Sequence, residues 1–196
     1  MCFLTRTKTI IVVFLFCCTF SFQQAFAIRI VAVVGDRAIT DYDIENLGKM
    51  LCKIDKRVKC GSIENTQMSM MTMVETYLKL EHYNQSKIDL SNFVIDFEKY
   101  KEKIVGSFKI KKSEIPDQFN DYLFAEFIWN IMLSSQVKDK KITDKEIENY
   151  AIEKKIKVND KNKLIIKNEI MQNKYNKQSI KMIGELKKMY FIDIKG

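Results

Sequence analysis

The stretch IRIVAVVGDRAITDYDI, residues Ile28 to Ile44, decides the reading of the fold. It joins an apolar alternating run, a two-residue turn at Gly35-Asp36 and a second short run that passes into a helix start. Glycine tolerates the positive φ of the primed turns that close tight hairpins, so the two runs are expected to pair. Thr40 then places a hydroxyl at an N-cap and Asp43 a carboxylate three residues on, which predicts a helix from about Asp41. A two-stranded hairpin is not stable alone in water; it needs another strand and a helical cover. The far end of the chain offers both. Residues from about Asn168 to Met189 read as a helix carrying Tyr175, Met182, Ile183 and Leu186, and YFIDIK, Tyr190 to Lys195, alternates like a strand. The expectation is one small antiparallel sheet that ties the two ends of the mature chain together.

The residues before Ile28 read differently. Arg6 and Lys8 precede the apolar run TIIVVFLFCCTFSF, and Ala25-Phe26-Ala27 closes it, the order of parts in a secretory signal cut after Ala27. The alternative is an uncleaved anchor, but the run falls short of the roughly 20 residues a spanning helix needs. A lipoprotein signal is disfavoured because neither Cys17 nor Cys18 follows a small residue. Removal of residues 1–27 takes three of the 5 cysteines with it and leaves Cys52 and Cys60. In an exported chain such a pair most simply forms one disulfide. A metal site would lack further ligands, since His82 is the one histidine, and two free thiols are the remaining alternative.

Composition bounds the rest. Hydrophobic residues at 46% and charged residues at 30% describe a soluble globular protein, and with 6 Gly and 1 Pro a turn-rich all-β fold is disfavoured. The formal net charge of +8 admits nucleic acid, anionic membranes or acidic clients as partners. Export argues against nucleic acid. Lysines interleaved with acids through 99–112 and 138–167 suit a solvated helix surface better than a phosphate-binding stripe.

Helical spacing recurs along the whole interior. Asp41 to about Lys53 carries Ile44, Leu47 and Leu51 on one face, and about Thr66 to Gln85 carries Met70, Met73, Val74, Tyr77 and Leu78. A third helix, capped by Asp89 or Ser91, repeats Phe93, Phe97, Tyr100 and Ile104. Lys112 to Leu123 reads as a further segment with Pro116 in its first turn. It leads into a strongly apolar helix to about Gln136, the expected centre of the core. Thr143-Asp144-Lys145-Glu146 is a capping box opening a short helix through Ile152. Lys154 to Lys167, rich in Lys and Asn with weak periodicity, reads as a linker. The fold class is mainly α: a bundle of about six to seven helices closed by a small antiparallel sheet.

Two distant parts of this pattern match one family. IVAVVGDRAITDYDI resembles the opening of SurA-type periplasmic chaperones after their signal, and ELKKMYFIDIK resembles the C-terminal helix and strand that return to complete their N-terminal module. Gln67 to Ile152 resembles the SurA N-terminal domain in number and order of helices. The resemblance implies a division into residues 1–27 (signal), 28–152 (SurA N-terminal-like domain), 153–167 (linker) and 168–196 (C-terminal helix and strand). It departs from the family in one respect: where full-length relatives carry parvulin prolyl isomerase domains, this chain has only the short interval 153–167, without histidines.

The resemblance therefore implies chaperone activity without catalysis, ATP, metal or other cofactor. It places the protein in the periplasm of a Gram-negative-type bacterium, binding unfolded outer-membrane proteins or peptides, with no nucleic acid and no stable membrane insertion once the signal is cut. The alternative is an envelope interaction protein of the same fold with one folded partner. A client groove calls for adaptable thioethers and aromatic area. Met68, Met71, Phe108, Tyr122 and Trp129 are the candidate peptide-binding residues, each weighed against plain core packing. Met68 and Met71 lie off the Met70–Val74–Tyr77 face, and Tyr122 and Trp129 are seven apart on one face. His82 sits near a helix end, and Asp41 and Asp43 are explained by capping, so no catalytic residue is expected.

Overall fold

β1 (Ile30–Val34) and β2 (Arg37–Thr40) form the expected hairpin in the computed structural model, which describes residues 28–86, 89, 93–137 and 142–195. The signal reading falls on residues 1–27, outside the described residues. Gly35 carries the positive φ of the turn, +57°. Positive φ at the first turn residue and not at Asp36 is the pattern of a type II′ turn. The register slips between Ile30 and Ala32, so Val31 is the extra residue of a bulge. That bulge lets both Val31 and Ala32 be buried, which simple alternation would forbid.

β3 (Ile192–Ile194) pairs antiparallel with β1, giving the strand order β2-β1-β3. Ala32 faces Ile194 and Val34 faces Ile192. The ladder is closed at one end by Gly35 N–H donating to Phe191 O (2.9 Å) and at the other by Lys195 N–H donating to Val31 O (2.9 Å). The first strand of the described chain is thus the middle of the sheet, and the last strand occupies one edge.

Among the described residues there are six α-helices, and the first two of them pack against the sheet. α1 (Asp41–Ile54) starts where the sequence places it. Thr40 Oγ1 accepts from Asp43 N–H (3.2 Å), and the Asp43 carboxylate accepts from Thr40 N–H (2.8 Å). α2 (Ile63–Ser86) and α4 (Asp117–Val137) together make the centre. From Met73 to Leu80, α2 is buried almost all round, because α1, α4, the C-terminal helix and the sheet lie on different sides of it. The apolar helix α4 was the one expected to be central; α2 shares that place, and its polar Thr76 and Lys79 masked the signal.

α3 (Val94–Ser107) buries only Val105 fully and rests on α4 through rings, with Phe97 against Phe124 (centroids 5.1 Å) and Tyr100 against Phe127 (5.6 Å). Its N-cap is Phe93, with no side-chain cap; of the two expected capping residues, Ser91 lies outside the described residues and Asp89 lies upstream of the cap. Pro116 does not stand in a first helical turn. The chain makes a 3-10 turn at Lys112–Glu114, Ile115 is extended, and Pro116 precedes α4 with its carbonyl accepting from Phe119 and Asn120 N–H. A residue before proline is driven out of the helical region, which separates the turn from the helix.

α5 (Asp144–Lys154) opens on the expected Thr143/Glu146 capping box. The interval 153–167 is a linker only over 155–159. α6 (Asp160–Met189) begins there, capped by Asn159, whose side chain accepts from Lys161 and Asn162 N–H (both 3.0 Å). Its first turns bury a thin stripe, Ile166 and Ile170, against Ile147 of α5. So narrow a stripe leaves little periodic signal among the lysines. Deleting Tyr190 to Gly196 removes β3 and uncovers Ala32 and Val34. It is expected to lower the unfolding free energy by about 3 kcal/mol or more, from lost ladder bonds and exposed apolar area. A urea midpoint equal to that of the intact protein would refute the closure of the sheet.

Candidate functional site

Helices α1 and α2 cross tightly at Gly48, as the side chains opposite it show. A Cβ at Gly48 would stand 2.9 Å from Ser69 Oγ and 3.1 Å from Asn65 Nδ2, so only glycine admits this crossing. Asn65 Nδ2 donates to Gly48 O (3.3 Å), and Ser69 Oγ donates to Asn65 O (2.6 Å). The Asn65 Oδ1 is buried with no donor among the described residues. An acceptor left in that state costs about 1–3 kcal/mol unless something reaches it.

Beside this crossing opens a cleft of about 510 Å³. Its apolar wall is Val31 from the bulge, Ile44 from α1 and Met70 from α2, with Cys60 and Gly61 at the near end. The rim is charged. Lys49 is paired with Glu45 (2.7 Å), the Asp41 carboxylate accepts from Arg29 N–H (3.2 Å), and Lys195 pairs with Asp193. Arg29 and Val31 come from one end of the described chain and Lys195 from the other, so the cleft exists only once the sheet has closed.

Cys52 and Cys60 are joined in a disulfide, with Cα atoms 5.3 Å apart. The bond pins the turn after α1 to the helix and fixes Cys60 at the cleft wall. Among the described residues no group of three or more His, Cys, Asp or Glu is placed to hold a metal ion, and no described helix is long and apolar enough to cross a membrane.

The candidate residues named from sequence do not form one site. Met71 is exposed, as its position off the buried face of α2 suggests. Met68 is instead half-buried against the core, because α2 is covered on more than one side. The methionine in the cleft is Met70, which the sequence placed on the packed face. Phe108 ends α3, partly exposed and apart from the cleft. Tyr122 packs against Phe119 (centroids 5.8 Å), and burial, with Glu126 and Tyr100 nearby, pushes its hydroxyl up to about 12.

Trp129 is the most deeply buried of the five. It is 2% exposed, and its indole N–H donates to Ser179 Oγ (2.8 Å) on α6. Lys79, itself buried and paired with Glu126, lies over the ring at 5.6 Å. Trp129 and Tyr122 share a helix, but the C-terminal helix covers Trp129, so it anchors α6; only its edge lines a separate polar cavity of about 560 Å³ between α4 and α6, which Tyr122 does not reach. Val31, Gly48 and Asn65, which build the cleft, carry no chemical signature in the sequence. The i, i+4 spacing of Ile44 with Gly48 and of Asn65 with Ser69 was the available clue to a close helix crossing.

No protein-family model matches the chain, and no curated protein matches it significantly.

Replacing both Cys52 and Cys60 by Ser is expected to cost about 2–3 kcal/mol, the loop-closure entropy of so short a ring. Thermal melting with and without reductant checks it: the wild type should fall to the variant's midpoint on reduction, while the variant stays put. Equal midpoints of oxidised wild type and variant would show that the disulfide does not hold the cleft wall.

Proposed function

We propose that the protein is an ATP-independent chaperone of the SurA type that keeps unfolded outer-membrane proteins soluble in the periplasm of a Gram-negative-type bacterium. It binds them through the cleft between β1, α1 and α2 and catalyses no prolyl isomerisation. The observation that carries this reading is an apolar cleft lined by an adaptable methionine, rimmed by charges of both signs, and completed by the return of the C-terminal strand. The expected fold class, with the sheet closed by both chain ends, supports the family resemblance on which the periplasmic location rests.

Magnitude fits the task. Burying one Leu- or Phe-sized side chain of a client yields about 1.5–3 kcal/mol. Micromolar binding corresponds to about 8 kcal/mol, so a client must engage the protein at several points, and the exposed Met71 and Phe108 are further points of apolar contact. Weak single contacts favour long unfolded chains over short peptides and over folded surfaces. Asn65 Oδ1 at the cleft wall is the natural acceptor for a client amide once the side chains there yield.

Aggregation of a denatured β-barrel protein diluted from urea tests the proposal. The intact protein is expected to suppress light scattering at near-stoichiometric ratio, and Met70→Glu, which puts a charge into the apolar wall, should weaken that effect about tenfold or more. Peptide affinity for aromatic-rich segments should fall in parallel. Loss of neither would remove the cleft from the mechanism, and absence of suppression by the wild type would remove the function. A protease-coupled proline isomerisation assay is expected to show no acceleration over buffer.

A further inference from the structure

The hairpin made by α5 and the first half of α6 stands apart from the rest of the packing. Its core is a separate small cluster, Ile147, Ile166 and Ile170. Its bend is rigidly built. Lys155 is left-handed (φ +56°), Lys155 N–H donates to Ile152 O (3.1 Å) and Ile156 N–H donates to Ala151 O (2.8 Å), which is a Schellman closure. The Glu146 carboxylate, held down to about 2 by Lys174 and then by Thr143 N–H, ties the base of the hairpin across to α6.

The end of this hairpin exposes what a soluble surface ordinarily hides. Ile152 is 76% exposed, Leu164 66%, Ile165 57% and Ile156 40%. All lie within about two helical turns of the bend. Around them stand Lys154, Lys155, Lys157 and Lys161, all exposed, against Glu148, Glu153 and Asp160 of opposite sign. Leu164 and Ile165 are adjacent on α6, about 100° apart, and both lie off the stripe that Ile166 and Ile170 bury. The apolar groups therefore surround the tip and do not form one flat face.

We propose that this tip docks the protein on anionic lipid bilayers. A folded partner needs a contiguous patch of about 800 Å² on each side, which a ring of separate aliphatic side chains does not offer. A bilayer makes no such demand: the aliphatic groups enter the headgroup boundary to about 5–10 Å while lysine stems lie along them with their charges at the phosphates. The docking is peripheral. It is also distinct from the cleft between β1, α1 and α2, with which the tip shares no lining residue.

Co-sedimentation of the full protein with large vesicles is the test. Binding is expected to vesicles with about 30% phosphatidylglycerol, to weaken steeply with added salt, and to be absent on pure phosphatidylcholine. Reversing Lys154, Lys155 and Lys157 to Glu should lower the affinity about a hundredfold or more, since each lysine near such a surface contributes roughly fivefold. Ile156→Ser with Ile165→Ser should lower it about tenfold or more. The matched reversal of Lys177, Lys181 and Lys188 on the body half of α6 should leave tip docking within about threefold. Ile156→Trp adds a local reporter against the buried Trp129, and its emission should shift to the blue on anionic vesicles only. Equal binding to both lipids, equal loss in tip and body variants, or an unshifted reporter would overturn the proposal. So would capture of soluble polyglutamate by the tip without capture of vesicles, which would make it a site for acidic protein. Far-UV circular dichroism confirms that each variant is folded.

Discussion

Everything in this fold hangs on the pairing of β1 with β3. The strand that opens the described chain can be the centre of a sheet only if something arrives on its second edge, and the partner comes from the other end of the sequence. Closing so long a loop costs chain entropy, but that cost grows only with the logarithm of loop length. α6 reduces it further by acting as a strut: its 30 residues run about 45 Å and deliver β3 without a flexible search. The strut is held along the body by Trp129 to Ser179, by Lys187 to Glu75 (3.1 Å) and by Tyr190 Oη donating to Gln85 (2.8 Å).

The same closure produces the cleft. Val31 points into it because the bulge shifts the strand by one residue, and Lys195 reaches its rim because the ladder ends on Val31 O. Opposite, Gly48 lets α1 and α2 meet closely enough for Asn65 and Ser69 to be buried between them. A binding surface built this way is coupled to global stability: what loosens the sheet also opens the cleft. The α5–α6 hairpin is different in kind, since its small core depends on a few isoleucines and on the Glu146 tie and not on the sheet.

Two lysines, one buried and one exposed, mark where their surroundings overrode local preference. Lys79 sits inside the α2–α4 contact with Glu126 as its partner and the Trp129 ring beneath it, an arrangement that exchanges hydration for a specific mutual orientation of the two helices. Lys155 takes a left-handed conformation that glycine would adopt more readily, and the Schellman bonds around it offset that strain. Each is explained by what surrounds the residue in space.

By itself the sequence determined the features that short-range rules control. The Gly35 turn, the Thr40 and Thr143 caps, the apolar faces of α1 and α4, the pairing of Cys52 with Cys60 and the alternation of YFIDIK follow from steric and hydrogen-bonding demands met within a few residues. Tertiary structure decided the rest. That Trp129 anchors a helix depends on where α6 lies. The start of α6 at Asp160 depends on packing too narrow to leave a period. The cleft is assembled from Val31, Gly48, Met70 and Lys195, residues without individual chemistry that are far apart in the chain. Burial and concavity are properties of neighbours in space, and no local pattern encodes them.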